Sequence, residues 1–302
     1  MKFTEHMWLE DYNSFDMFEE YNGKTLIHYC NSGSLIGILE NKCFWASNIK
    51  DFNDPNEGKL AYEHVCNNMN SIVGRNDSLE KKEDFMFSKC YVACFSKDEK
   101  SEYMRKAFMS RKSDGEGRKI EIVLDARKFI DSLFCKSRTE KELKNFRIKC
   151  IKYIVGNGEV KILGSIEQYL KELWRKMKED PLIDKAYATE LIKRKAFYIG
   201  TFIKKEDEKI PVSHEEQEVR VLINVFNPEI INDKCEAYVD SHVENKKEYV
   251  NFYFDLNAIE KIIVLDQSEY DNVLSLIEHS MKLESNMKKA LREKVVFCPV
   301  QN

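Results

Sequence analysis

The chain has 302 residues, 43% hydrophobic and 33% charged, a mixture that builds a sizeable core and excludes long disorder. Its 48 Lys and Arg against 52 Asp and Glu give a formal charge of −4, which excludes a strong global attraction to phosphate backbones or anionic lipid. No run approaches the ~18 apolar residues of a membrane span, and the first residues lack the basic-then-apolar pattern of a signal peptide.

Residues 25–30 (TLIHYC), between Gly23 and Asn31-Ser32-Gly33, predict a strand. Leu35, Ile36, Ile38 and Leu39 then predict a short amphipathic helix, and 43–47 (CFWAS) another strand. Asp54-Pro55-Asn56-Glu57 has the form of a helix start, with Leu60, Ala61, Val65 and Met69 as its buried stripe. Strands are expected at 90–95 (CYVACF) and 120–124 (IEIVL), with a helix over 101–109 between them. The basic residues Arg105, Lys106, Arg111, Lys112, Arg118 and Lys119 are read there as a solvated loop.

Ile166, Tyr169, Leu170, Leu173, Trp174 and Met177 follow helical spacing, and Ser165 with Gln168 matches a capping box. Asp180-Pro181 restarts a second helix through Ile183, Tyr187 and Leu191, so that 136–196 reads as a helical insertion in a single domain. Strands return at 218–225 (EVRVLINV), 236–240, 250–254 and 261–265, and a final helix buries Val273, Leu274, Ile277 and Met281. Strands at both ends with helices between them predict an α+β fold whose mixed sheet is assembled from distant segments.

The nine cysteines lie mostly in apolar runs, so free thiols and a reducing, cytoplasmic setting are expected. Cys90 and Cys94 have a CxxxC spacing with no second pair or His cluster to complete a zinc site, so no metal centre is expected. No P-loop, GxGxxG, HExxH or GxSxG is present.

Two places stand out. In the first strand, His28 and Tyr29 point to opposite faces. The plain reading of His28 is an imidazole satisfied by a backbone carbonyl. In the second place, Glu216, Glu218 and Arg220 fall on one face of a predicted strand and Val219 and Val221 on the other. Such a row is either a salt-linked surface or a pair of carboxylates put to use, since like charges two residues apart on a strand repel.

In order, Ile27-His28-Tyr29-Cys30, Leu35 to Leu39, Phe44-Trp45-Ala46-Ser47-Asn48, Asn53-Asp54-Pro55-Asn56-Glu57, Cys94-Phe95-Ser96, Glu216-Gln217-Glu218-Val219-Arg220 and Ile262-Ile263 resemble the bacterial family called domain of unknown function 2971. The sequence departs from that pattern at Cys30, where the family has Thr, at Leu265-Asp266, where it often has Gly-Pro, and around Met104, Arg105 and Phe108. More remotely, the opening block is similar to the first strand and helix of ADP-ribosyltransferases, and Glu216-Gln217-Glu218 to their Glu-x-Glu pair.

That resemblance implies a mostly antiparallel, split sheet with flanking helices, and NAD as substrate. It implies a protein or nucleic-acid acceptor, and a toxin or phage-defence role. It further implies Glu218 as the electrostatic carboxylate and Glu216 as its helper. His28 would bind the ribose, Tyr29 or Trp45 would stack on nicotinamide, and Arg220 would neutralise the Glu row or pair with a diphosphate. The competing expectations are an NAD glycohydrolase, a non-catalytic nucleotide- or partner-binding module, and a nuclease using Glu216, Glu218 and Asp54 around Mg²⁺.

Overall fold

The computed structural model describes residues 21–52, 59–68, 71–72, 90–97, 102–110, 117–136, 142–144, 146–154, 158–179, 185–205, 216–224 and 241–299. Strand β1 (Thr25–Cys30) leads into helix α1 (Ser32–Asn41), whose first turn is capped by the Asn31 side chain accepting from the Ser34 amide at 2.8 Å. Strand β2 (Cys43–Asn48), helix α2 (Leu60–Asn67), strand β3 (Cys90–Ser96), helix α3 (Glu102–Ser110) and strand β4 (Ile120–Asp125) follow. Asp125 then caps helix α4 (Ala126–Ser132).

Short strands β5 (Cys135–Lys136) and β6 (Glu142–Leu143), strand β7 (Phe146–Cys150) and strand β8 (Lys152–Ile154) precede the long helices α5 (Gly158–Lys178) and α6 (Lys185–Gly200). After them come β9 (Ile203–Lys205), β10 (Glu218–Asn224), β11 (Ser241–Glu244), β12 (Lys247–Tyr253) and β13 (Ile259–Val264). Helix α7 (Gln267–His279), helix α8 (Ser285–Glu293) and strand β14 (Val295–Phe297) close the described chain.

The fold is α+β, with a mixed, mostly antiparallel sheet. Its strands run β11-β12-β2-β3-β1-β4-β13-β14, and β10 and then β7 branch from β3. Among the described strands only β13–β14 pairs in parallel within it. The branch curls the sheet, because Phe146 on β7 meets Phe252 on β12 with ring centroids 5.0 Å apart. The inner face encloses the largest core, from Leu26, Phe44, Phe95, Ile122, Val219, Val221 and Phe252, closed by α1, α4 and α7. The outer face carries two further clusters. One lies under α2, α5 and α6 and includes Val92, Ile151, Trp174, Phe197 and Leu222. The other lies under α3 and joins Ile27, Tyr29, Val123 and Met104.

Several sequence expectations need correction. Ser165 does not open a helix. It sits inside α5 and returns its hydroxyl to the Lys161 carbonyl at 2.9 Å, an i−4 bond that uses the side chain a cap requires. The helical stretch begins at Gly158, and the residues before it form strands, of which β7 joins the main sheet through β10. The Met281 side chain is 97% exposed, because α7 ends at His279 and the apolar stripe runs past the helix. Arg105 belongs to α3 and is held inside the fold. The expected helix start at Asp54 and the strand at 236–240 lie outside the described residues. So do Met69 and the restart at Asp180-Pro181 with Ile183.

Candidate functional site

The register assigns each candidate to a face, since directly opposed residues of an antiparallel ladder share one. Ile27 opposes Ser96, and Ser96 opposes Glu218, so these three share the outer face. Arg220, opposite Cys94, joins them, and alternation adds Tyr29. Ser47 opposes Val92, which lies in the outer cluster, so Trp45 also faces outward. His28 faces inward, between Phe44 and Phe95 at centroid distances of 4.9 and 5.7 Å. The fold therefore gathers Glu218, Arg220, Tyr29 and Trp45 on one face of the sheet and His28 on the other.

The two faces meet at a gap. On one edge, β3 pairs with β2 at Tyr91 and Val92 and with β1 at Ser96, and Cys94 lies between these ladders. His28 fills that place, with Nδ1 at 3.4 Å from the Cys94 carbonyl oxygen. A carbonyl only accepts, so Nδ1 carries the proton. Burial, assisted by the nearby Arg118 guanidinium, lowers the His28 pKa to about 4, and the bond to Cys94 opposes the shift. The imidazole is neutral near pH 7.

On the outer face, Glu218 is 8% exposed and Arg220 fully buried. Arg220 donates Nε to Glu218 Oε1 at 2.7 Å, Nη2 to Oε2 at 3.4 Å, and Nη1 to the Thr201 carbonyl at 2.7 Å. Its guanidinium also lies over the Phe52 ring. Burial alone would raise the Glu218 carboxyl. Arg220 and Lys204 outweigh it and, with a hydrogen bond from the Cys94 thiol, hold the group at about 2. The carboxylate is thus ionised at any ordinary pH.

Glu216 reaches this cluster by a different route from the one its spacing suggests. Gln217 has φ 43, a left-handed backbone that ends the alternation, and β10 begins only at Glu218. Lys204 rejoins the pair, with Nζ 2.5 Å from Glu216 Oε2 and 3.5 Å from Glu218 Oε2. Lys204 stands opposite Tyr153 in the parallel β8–β9 pair, and the Tyr153 hydroxyl accepts from the Glu218 amide at 3.1 Å. Burial and then the Glu218 charge raise the Tyr153 pKa. Tyr153, Lys204 and the Thr201 carbonyl flank the helices α5 and α6, so the segments at the two ends of that pair reach the charged row on β10.

Tyr29 is 5% exposed and packed under α3, whereas Trp45 is 49% exposed and contacts His242 and Tyr249 at 5.0 and 5.4 Å. Of these two rings, Trp45 is the one open to a ligand. Beside Tyr29 on β4, Glu121 is fully buried and takes Arg105 Nε at 2.7 Å and Nη2 at 2.8 Å, a bidentate pair. Lys204, Tyr153, Cys94 and Glu121 are the residues that sequence reasoning missed. Among the described residues, no group of three or more His, Cys, Asp or Glu could hold a metal ion. Asp54 lies outside them. No described helix is long and apolar enough to cross a membrane, and the eight described cysteines are free.

No family model matches the sequence, and no curated protein does. Among solved structures, the chain is similar to Thermus sp. 2.9 DarT in complex with ADP-ribosylated ssDNA. The identity is 12% and the TM-score 0.30, over 94% of this chain and 97% of that one. Similarity at that level carries no argument about activity, so the functional reading rests on the site itself.

Proposed function

We propose that the chain breaks the nicotinamide–ribose bond of NAD⁺ and transfers ADP-ribose to a macromolecular acceptor, protein or nucleic acid. The observation that carries this reading is the Glu218 carboxylate. It is ionised, anchored by Arg220, and hydrogen-bonded to Cys94, the residue of β3 at which β1 and β2 part. Bond cleavage sends the electron pair to nicotinamide, which leaves neutral, and the ribose becomes an oxocarbenium-like cation. A fixed carboxylate in a water-poor site stabilises that charge without reorganising. The acceptor nucleophile then bonds to the ribose carbon and gives up its proton.

In this reading Trp45 is the exposed ring that stacks on nicotinamide. His28 acts from the inner face by fixing Cys94, instead of touching the ribose itself. Purified protein with NAD⁺ and cell lysate, followed by mass spectrometry for free nicotinamide and for ribosylated product, tests the proposal. Nicotinamide release with label in a macromolecule supports it, whereas release with label in water alone makes the chain an NAD glycohydrolase. One observation favours a second reading, a binding module without turnover: Arg220 is fully buried and Glu218 nearly so, as in a structural ion pair. NAD binding with no nicotinamide released selects that reading.

A further inference from the structure

The two oxygens of Glu218 are held unevenly by the cations beside them. Oε1 is tightly held by Arg220 Nε at 2.7 Å, while the cationic contacts of Oε2 are long, to Arg220 Nη2 at 3.4 Å and Lys204 Nζ at 3.5 Å. The Lys204 ammonium is instead drawn to Glu216 Oε2 at 2.5 Å. Lys204 and Glu216 are each about one-fifth exposed, and the ammonium lies within 3.5 Å of both carboxylates. A compact ammonium placed between two carboxylates follows whichever is nearer and more negative.

We propose that Glu216 is a positioning residue that acts through Lys204: it holds the ammonium away from Glu218 Oε2 and keeps that oxygen available to a developing cation. The proposal rests on the NAD-cleavage reading and makes the part of Glu216, the expected helper of Glu218, specific: it restrains a lysine. Without Glu216, Lys204 closes on Glu218 and neutralises the charge that cleavage requires.

The test measures Glu216→Gln in two backgrounds, wild type and Lys204→Met, with nicotinamide release as the readout and folding checked by circular dichroism. In wild type, Glu216→Gln is expected to lower kcat by about tenfold or more, part of the 10²–10³ carried by one preorganised contact, with KM for NAD⁺ nearly unchanged. In the Lys204→Met background the same substitution should cost less than about twofold, because the ammonium that does the damage is gone. An equal loss in both backgrounds overturns the proposal and returns Glu216 to a direct role. A crystal structure of the Glu216→Gln protein supplies a readout independent of activity: Lys204 Nζ should move to hydrogen-bond distance of Glu218 Oε2, roughly 2.8 Å. An unmoved Lys204 overturns the proposal. If the wild type releases no nicotinamide, the NAD reading falls and this second readout alone decides the lysine's position.

Discussion

His28 and Glu218 stand on opposite faces of the sheet and both hydrogen-bond Cys94, His28 through its carbonyl oxygen and Glu218 through its thiol. The gap between β1 and β2 makes this possible, because Cys94 lies on β3 between the ladders to β2 and β1. One residue thus links the neutral imidazole to the buried carboxylate.

Replacing His28 should therefore cost stability first. His28→Ala removes the partner of a half-buried carbonyl and the ring that fills the space between Phe44 and Phe95. The expected loss is about 2–3 kcal/mol in urea unfolding. His28→Gln, which can still donate to Cys94, should recover part of it. Equal stability of His28→Ala and wild type would remove His28 from this role.

Acid should act on the fold in two stages. His28 titrates at 6.5 when unfolded and at about 4 when folded, so the unfolded state binds the proton first. Its contribution is complete above pH 6.5 and is lost as pH falls through about 4. Glu218 is depressed from 4.5 to about 2, so its contribution is present above 4.5 and is lost as pH falls through 2. The melting temperature should fall between pH 7 and 4.5, and His28→Gln should flatten that slope. An unchanged slope in the variant would assign it to other groups.

The Arg105–Glu121 pair makes a prediction of its own. Glu121→Leu leaves a guanidinium without its charge partner beneath α3 and should cost about 3–5 kcal/mol. Arg105→Met with Glu121→Leu should restore most of that, because an apolar pair no longer leaves a buried charge. Additive losses in this double-mutant cycle would show that the pair is not coupled.

Trp174 lies at 7% exposure in the cluster under α2, α5 and α6. Trp174→Ala should lower stability by about 3–5 kcal/mol. If unfolding is unchanged and an oligomer dissociates instead, the ring belongs to an interface between copies.

What the sequence made legible was local. Residues 120–124 and 218–224 read as strands because short runs rich in β-branched apolar residues mark strands, and β4 and β10 are buried on both faces. The charged row itself was visible at Glu216, Glu218 and Arg220. Its closing partner was not, since Lys204 meets Glu218 only through the parallel pairing of β8 with β9 across two helices. Arg105 looked like part of a basic loop because Glu121, 16 residues away on a strand, carries no local mark of pairing with it. Ser165 fitted a capping box by spacing alone, and an interior serine bonded to the i−4 carbonyl has the same sequence. The placement of His28 and Glu218 on opposite faces followed from the single Ile27–Ser96 register, which no one-dimensional pattern records.

The central claim is that the Glu218 charge supports cleavage of NAD⁺, and nicotinamide release by the Glu218→Gln protein tests it most directly. Gln keeps the size and an acceptor oxygen for Arg220 but deletes the charge. Stability should fall by about 3 kcal/mol, as expected for a weakened buried pair, so rates are compared at a temperature where circular dichroism finds both proteins folded. The account predicts a fall of about 10²–10³ in the rate of nicotinamide release. A rate within a factor of two of wild type would contradict it.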